Sequence, residues 1–496
     1  MFTKNAYFYL KFSRFAKETD KKMKRLPYIG ILLTIFMSVS CGEDRSGEFY
    51  ALIEDRIWIE ETMRNNYLWY EDIPLIENEN NYFQAPSTFF KNLLSKKALN
   101  GKGDSYSYLE ENTEMASESR SLMLNRTSTY GIEFELTSDP TGTTTHTVAR
   151  VLYVLPNSPA EQAGIKRGDW ITAINRANIT NDNYQQLMYG GQVTWARDRI
   201  TIAEESAIWQ AVDTIQIGTS VKMEINPFLV DTIYQINGKK IAYLVYNEFS
   251  TGPNNDGLET VYQEQMKQIF TNFKEQLPDE FILDLRYNNG GFLSCAQDLG
   301  SLLAPTTALG KDFIYLTRND LMNPQTISYP LKASFSDANL NLSKIYILTG
   351  HHTASSSEAV INGLTPYMGK ENVILIGSKT VGKNVAISAF ENNTYGITLW
   401  PVVAYVSNAN NESDYANGFQ PHYLLNEENQ LTWFPLGDTN EYYLKNTLSL
   451  IDTGSMRDIL QTEEKQQSVQ TIYNSIKARN SQGVILNTQK YQEKAK

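Results

Sequence analysis

The sequence predicts a multidomain α/β protein, and three observations lead there. At 496 residues the chain is too long for one hydrophobic core. Residues 129–226 alternate apolar and polar side chains with period two, broken by Gly/Pro/Asp turns. Residues 227–425 instead alternate apolar strands with amphipathic helices, the order that builds a largely parallel sheet with crossover helices.

The N-terminus is not read as fold. Residues 1–25 carry eight Lys/Arg against two acidic residues, and the apolar run Ile29–Val39 is too short to span a bilayer but suits a signal peptide. Met23 is a more natural start than Met1. The run ends at Cys41-Gly42, after small residues, which resembles the lipobox of bacterial lipoproteins, although Ser38 stands where Leu is usual. Lipidation is expected at Cys41, and Glu43-Asp44 resembles the acidic export tag of some surface lipoproteins. Residues 1–40 are therefore assigned to a signal peptide. Their removal takes away eight positive and two negative charges and moves the formal charge from −12 to −18. A chain this acidic is a poor nucleic-acid binder. If Cys41 is acylated, Cys295 has no disulfide partner.

Residues 41–128 read as a small helical domain. The stretch from Glu48 to Pro74 spaces Leu52, Ile53, Ile57, Ile59, Met63, Tyr67 and Leu68 near a 3.6 period. A second amphipathic segment follows at Phe89–Leu99. In residues 129–226 the strands Tyr130–Leu136 and His146–Leu155 flank a turn at Asp139–Gly142. Ser158-Pro159-Ala160 then opens a short helix, Ala163-Gly164 closes it, and Gly168-Asp169 turns into the strand Trp170–Asn175. This segment resembles the PDZ domain. The resemblance implies that Gly131, Ile132, Glu133 and Phe134 form a carboxylate-binding loop, that Tyr184–Met188 is the second helix lining the groove, and that a bound peptide adds a strand to the sheet edge. The stretch Ala196–Trp209 does not fit the pattern and is read as an insertion.

In residues 227–450 the strands Lys239–Phe249, Glu280–Gly291, Lys344–Gly350 and Asn372–Gly377 alternate with helices. Functional loops then fall at the carboxyl ends of the strands, where both the Gly290-Gly291 pair and the serines Ser355–Ser357 lie. A serine at the first turn of a helix has free amides and the positive dipole end beside it, which can hold an oxyanion. Ser355-x-x-Glu358 is equally a capping box. The base is open between His351 or His352, only three or four residues away, and a lysine of Gly377–Val385, either Lys379 or Lys383. Bringing a lysine from about 10.4 to near 7 costs roughly 4–5 kcal/mol of charge solvation, which burial among Val381, Val385 and Ile387 makes plausible at Lys383. No clustered His/Cys/acid spacing indicates a metal, and no cofactor is expected.

Together the PDZ-like segment, Leu283–Gly291, Thr353–Glu358 and Gly377–Lys383 resemble, in this order, the C-terminal processing peptidases, the Ser/Lys peptidase family S41, over roughly residues 45–450. The resemblance implies a peptidase core of the ClpP/crotonase-like α/β type. It makes Ser355 the nucleophile, Lys383 the general base and Glu358 an assisting acid, with oxyanion donors from the amide of Ser356 and from Gly290 or Gly291. Many members place Gln four residues after the lysine, where this chain has Ile387, so Lys383 must be oriented by Glu358, Asn384, Ser388 or backbone. Asp104–Met115 is expected to be structural only. The implied activity is a serine-type endopeptidase of the cell envelope, lipid-anchored, acting on protein substrates or on unstructured C-terminal tails presented by the PDZ-like domain. The alternative is a catalytically degenerate peptide-binding lipoprotein. Residues 426–496 include a capped helix beginning near Asp438, and residues 451–496 are assigned to the C-terminal helix and a polar tail that is partly disordered after about residue 475.

Overall fold

A computed structural model describes residues 46–111, 128–203, 206–254, 257–430, 432–456, 471–479 and 484–486. The expected signal peptide and Cys41 lie outside the described residues. The chain divides into two compact units, residues 1–54 and 55–496, and the second holds all of the sheets.

The helical part carries α1 (Ser46–Asn66) and α2 (Pro86–Leu93), the latter opened by a proline, whose fixed φ suits a first helical turn. Ile59, Met63 and Tyr67 of α1 and Phe89, Phe90 and Leu93 of α2 have no separate core. They bury against Val385, Ile387, Leu399 and Val402, and the strand β1 (Tyr108–Glu111) pairs antiparallel with Ile397–Trp400. The expected helical domain is thus a layer of the peptidase part, packed against the strand that follows Lys383.

The PDZ-like part is an antiparallel sheet of β2 (Ile132–Ser138), β3 (Thr147–Val154), β4 (Trp170–Ile174), β5 (Val193–Ala203) and β6 (Ser206–Ile217). Its inward residues Phe134, Leu136, Val151, Ile171 and Trp195 form one cluster. One expectation needs correction. Tyr184–Leu187 makes a single 3-10 turn rather than a second helix, with Gly190-Gly191 following closely. The stretch read as an insertion lies on β5 and β6, whose paired backbones extend the sheet from Val193↔Ile217 to Ala203↔Ser206.

Among the described residues the peptidase part holds two six-stranded sheets and shares a third, three-stranded one with β1. The strands and helices that build the first begin with β7 (Phe228–Ile236), β8 (Lys239–Tyr246), helix α3 (Val261–Gln276) and β9 (Glu280–Asp284). Then come β10 (Gly291–Phe292), α4 (Leu293–Leu303), β11 (Asp312–Arg318), β12 (Thr326–Pro330), β13 (Ile345–Thr349) and α5 (Ser356–Met368). The last elements before the tail are β14 (Val373–Gly377), β15 (Val385–Ile387), β16 (Ile397–Trp400), β17 (Val402–Asn408), β18 (Tyr423–Leu424) and α6 (Tyr442–Thr453).

The first sheet runs β7-β8-β9-β13-β14-β18 and is parallel from β8 onward. Helices α3, α4 and α5 cover one face and α6 the other, which is why β9 and β13 read as continuous apolar runs. Helix α6 starts at Tyr442 rather than near Asp438. Glu441 caps it by accepting from the Leu444 amide at 2.9 Å, while Asp438 accepts from the amide of Asn440. Around residue 475 the described residues form β19 (Thr471–Asn474), helix α7 (Ser475–Arg479) and β20 (Val484–Ile485), the last two within the stretch expected to be partly disordered. β20 lies in the second sheet, ordered β10-β20-β15-β17-β11-β12. Composition missed this because each tail element is ordered by a partner strand far away in sequence.

Candidate active site

β13 delivers the chain to the turn Gly350–Ala354, and Ser355 caps α5 with φ 60° and ψ −113°, a conformation that costs a non-glycine residue of the order of 1–3 kcal/mol. The three serines divide their work. Ser356 Oγ donates to the Gly291 carbonyl at 2.7 Å and Ser357 Oγ to the Asn288 carbonyl at 3.1 Å, so both staple the helix start to the glycine loop. Ser355 is fully buried and its Oγ has no hydrogen-bond partner. Ser355 and Glu358 do stand as a capping box, but only the amide half is tight: Ser355 N donates to Glu358 Oε2 at 2.8 Å.

Glu358 gathers the site. Its Oε2 also accepts from the Lys383 amide at 2.8 Å, and its Oε1 accepts from Gly382 N and Thr380 Oγ1, both at 2.6 Å. Burial pushes its carboxyl above the usual range, and the four donors work against that rise. Lys383 is 4% exposed, and burial pulls its ammonium down to about 7, opposed by the charges of Asp104 and Glu358. Its Nζ stands 4.5 Å from the Tyr106 ring centre. Lys379 is exposed, so of the two lysines only Lys383 has the surroundings of a base.

The imidazoles are turned elsewhere. His351 Nε2 and His352 Nε2 both meet Glu135 Oε1 of β2, at 2.9 and 3.0 Å. His422 Nδ1 accepts from the Leu375 amide, and His146 pairs with Asn178.

The profile of peptidase family S41 matches residues 240–425, that of the S41 N-terminal domain residues 56–108, and that of a PDZ domain residues 150–194. A crystal structure from Bacteroides fragilis, assigned to the S41 proteases, is 33% identical with a TM-score of 0.69, covering 79% of this chain and 96% of that one. The chain belongs to peptidase family S41. Among curated proteins, the carboxyl-terminal-processing protease of a Picosynechococcus strain is 28% identical over 250 residues, 49% of this chain and 53% of that protein. Its Synechocystis counterpart is 25% identical over 244 residues, 49% and 51%. The chain spans about half the length of the curated relatives it matches.

Several family expectations acquire detail. Gly290 has φ 108°, and a Cβ there would lie 2.7 Å from Ser355 Cβ and 3.0 Å from its Oγ, so only glycine lets the loop come this close. Its amide donates to Asn288 Oδ1 at 2.9 Å. Gly291 lines the same turn and accepts from Ser356 through its carbonyl. Ser356 N, at the first turn of α5, lies beside Ser355 and Gly290. The position of the family glutamine, Ile387, is fully buried in the core shared with α1 and α2. Asn384 is committed to the Ser413 carbonyl at 2.6 Å, and Ser388 Oγ has no partner. Lys383 is therefore held through its own backbone by Glu358 and faced by Tyr106.

The S41 N-terminal layer does more than expected. Asp104 and Tyr106, read from the sequence as structural, supply the larger opposing charge on Lys383 and a ring facing its Nζ. Asp104 is fixed by accepting from the amides of Tyr106 and Ser107 and from Tyr67 Oη. No local pattern announces this, because the lysine is almost three hundred residues away. A buried ionic network was also missed. Arg286, just beyond β9, meets Asp284, Glu427 and Glu441, and Arg167 of the PDZ-like part reaches Glu427 as well. It ties the glycine-loop strand to the PDZ-like part.

Glu135, His351 and His352 also bring three metal-type ligand atoms within 4.8 Å, a grouping that linear spacing hid because Glu135 comes from the PDZ-like part. Asn474 Nδ2 sits on Glu135 Oε1 at 2.5 Å and 3.2 Å from His352 Nε2, so a side-chain amide closes the cluster and no ion is assigned. The PDZ loop residues are likewise engaged. Gly131 N donates to Thr129 Oγ1 at 2.9 Å, and a Cβ on Gly131 would run into Ser158 Cβ at 2.1 Å. Ile132 opens β2 opposite Val154. Glu133 accepts from Ser475 Oγ, and Phe134 N donates to the same Oγ at 2.8 Å.

Proposed function

We propose that this S41 member is a serine-type endopeptidase with Ser355 as nucleophile and Lys383 as general base. The observation that carries the reading is a buried, unpartnered hydroxyl whose backbone shares one carboxylate oxygen with a lysine that burial holds near neutrality. Neutral Lys383 takes the Ser355 proton as Oγ attacks a peptide carbonyl. The Ser356 amide and the dipole of α5 stabilise the oxyanion. Protonated Lys383 then gives its proton to the leaving amine, and water hydrolyses the acyl-enzyme. Glu358 positions both reacting groups and takes no proton in this scheme. Protein segments reach the site by way of the PDZ-like part, and the enzyme is held at the cell envelope by a lipid on Cys41.

Incubation of the chain lacking residues 1–41 with casein tests the reading. Cleavage is expected and should disappear in Ser355→Ala. Equal cleavage by both proteins would remove Ser355 from its role. No cleavage by either, with peptide binding retained, would favour the catalytically silent binding lipoprotein.

A further inference from the structure

The edge of β2 is the side of the PDZ-like sheet that a bound peptide would extend, and in this chain it is already taken. β19 lies antiparallel along it, with Thr471 opposite Thr137, Tyr473 opposite Leu136 and Asn474 opposite Glu135. Its direction carries its C-terminal end to the Gly131–Phe134 loop, as a captured tail would run. Tyr473 fills the groove. Its ring centre is 5.9 Å from that of Phe134 and 4.7 Å from that of Tyr184, and its hydroxyl reaches Met188 Sδ at 3.6 Å. Asn474 bridges Glu135 and His352. Ser475 Oγ accepts from the Phe134 amide, the place a terminal carboxylate would take, and donates to Glu133. The chain then turns into α7, where Ile476 is fully buried against Leu152, Tyr153, Leu155 and Tyr287. Further on, β20 lies parallel between β10 and β15, with Val484 opposite both Gly291 and Ala386.

We propose that residues 471–476 are a ligand held in cis by the PDZ-like groove, and that the groove selects internal extended segments of the pattern aromatic–Asn–Ser rather than free C-termini. The charge at the capture loop decides the second half. A hydroxyl can accept from Phe134 N and donate to Glu133 at once, whereas a terminal carboxylate has no proton to give and would face Glu133 with Glu135 beyond it. An external segment must displace the cis one, and β20 connects that displacement to the strands that carry Gly291 and follow Lys383. The proposal rests on the reading of residues 129–226 as a peptide-binding domain, not on Ser355 as nucleophile.

The test uses the full chain carrying Ser355→Ala, so that catalysis plays no part. A fluorescent peptide of residues 469–479, amidated at its C-terminus, is titrated against this chain and against the same chain with Tyr473→Asp. Vacating a groove held at the high effective concentration of a tethered segment should tighten binding by about tenfold or more. A version of the peptide that ends at residue 475 with a free carboxylate should bind the vacated groove more weakly, and Glu133→Gln should narrow that gap. Equal binding before and after Tyr473→Asp, or no binding to a variant that still melts cooperatively, would overturn the cis-ligand proposal. Tighter binding of the carboxylate-ended peptide would overturn the selectivity. Asn474→Ala provides the same comparison if Tyr473→Asp fails to fold.

Discussion

Ser355 and Lys383 donate their backbone amides to the same oxygen, Glu358 Oε2, each at 2.8 Å. The turn that presents the proposed nucleophile and the loop that presents the proposed base are therefore registered against one buried atom. A displacement of that carboxylate moves both groups, and small misplacements of reacting groups cost large factors in rate.

Glu358→Gln tests this. The carboxylate accepts four donors, and an amide of the same shape offers one oxygen and turns an NH2 group toward the rest. At least one buried amide loses its acceptor, so a stability loss of about 1–3 kcal/mol is expected in denaturant melts. Proteolysis should fall by about a hundredfold or more. A variant with unchanged melting and near-normal cleavage would show that the carboxylate does not set the geometry.

The pH dependence follows from Lys383. Catalysis needs the neutral amine, so kcat/KM should rise with pH and reach half its plateau near 7. For stability the folded value lies below the unfolded one, 10.5 falling to about 7. Between those values the unfolded chain binds the extra proton, so this group's contribution improves as pH rises through that window. Below it the burial cost is present in full. Lys383→Met should therefore stabilise the protein most below pH 7, by up to about 5 kcal/mol, with the gain shrinking toward pH 10.5. A stability difference that does not change with pH would mean the lysine is not buried as described.

Asp104→Asn isolates a second influence on the same group. Asp104 is the larger of the two charges that favour the ammonium form of Lys383. Removing it should shift the acid limb of the rate profile to lower pH while cleavage at high pH is largely kept. A shift to higher pH would reverse the assigned sign.

Much of this was legible in the sequence, and the rest was hidden for a common reason. Period and order announced the α/β core, the sheet-end location of Ser355 and the glycine pair, because these are local patterns of apolar spacing and turn chemistry. What did not show were contacts between residues far apart. Examples are Tyr106 over Lys383, Arg167 in the Arg286 network, Glu135 under two histidines, and the polar tail pairing with β2 and β10. Asn474 and Ser475 look like disordered tail by composition and are buried because Glu135, Phe134 and Glu133 satisfy their side chains. The preference for Lys383 over Lys379 came from its apolar flanks and the motif, and the exposure of Lys379 against the burial of Lys383 agrees with it.

Gly290→Ala addresses the close approach of the glycine loop. A Cβ would meet Ser355 Cβ at 2.7 Å, with backbone behind it and φ at 108°. Neither partner is the free end of a flexible side chain, so Ser355 must move. Cleavage should be lost, with a destabilisation of about 1–3 kcal/mol from strain and overpacking. Retained activity would mean that the loop opens freely and does not shape the nucleophile turn.

Ser355 itself holds strain that a pair of inactive variants can expose. At φ 60° and ψ −113° a side chain is unfavourable, and the Oγ gains no hydrogen bond in return. Ser355→Ala keeps the strained backbone with a Cβ, whereas Ser355→Gly removes the Cβ that makes it costly. Relief of about 1–3 kcal/mol is set against the extra freedom of glycine in the unfolded chain, about 0.5–1 kcal/mol. Ser355→Gly should therefore melt higher than Ser355→Ala although both are inactive. If the alanine variant is the more stable, the nucleophile turn is relaxed, and the unpaired hydroxyl alone accounts for the cost of keeping serine there.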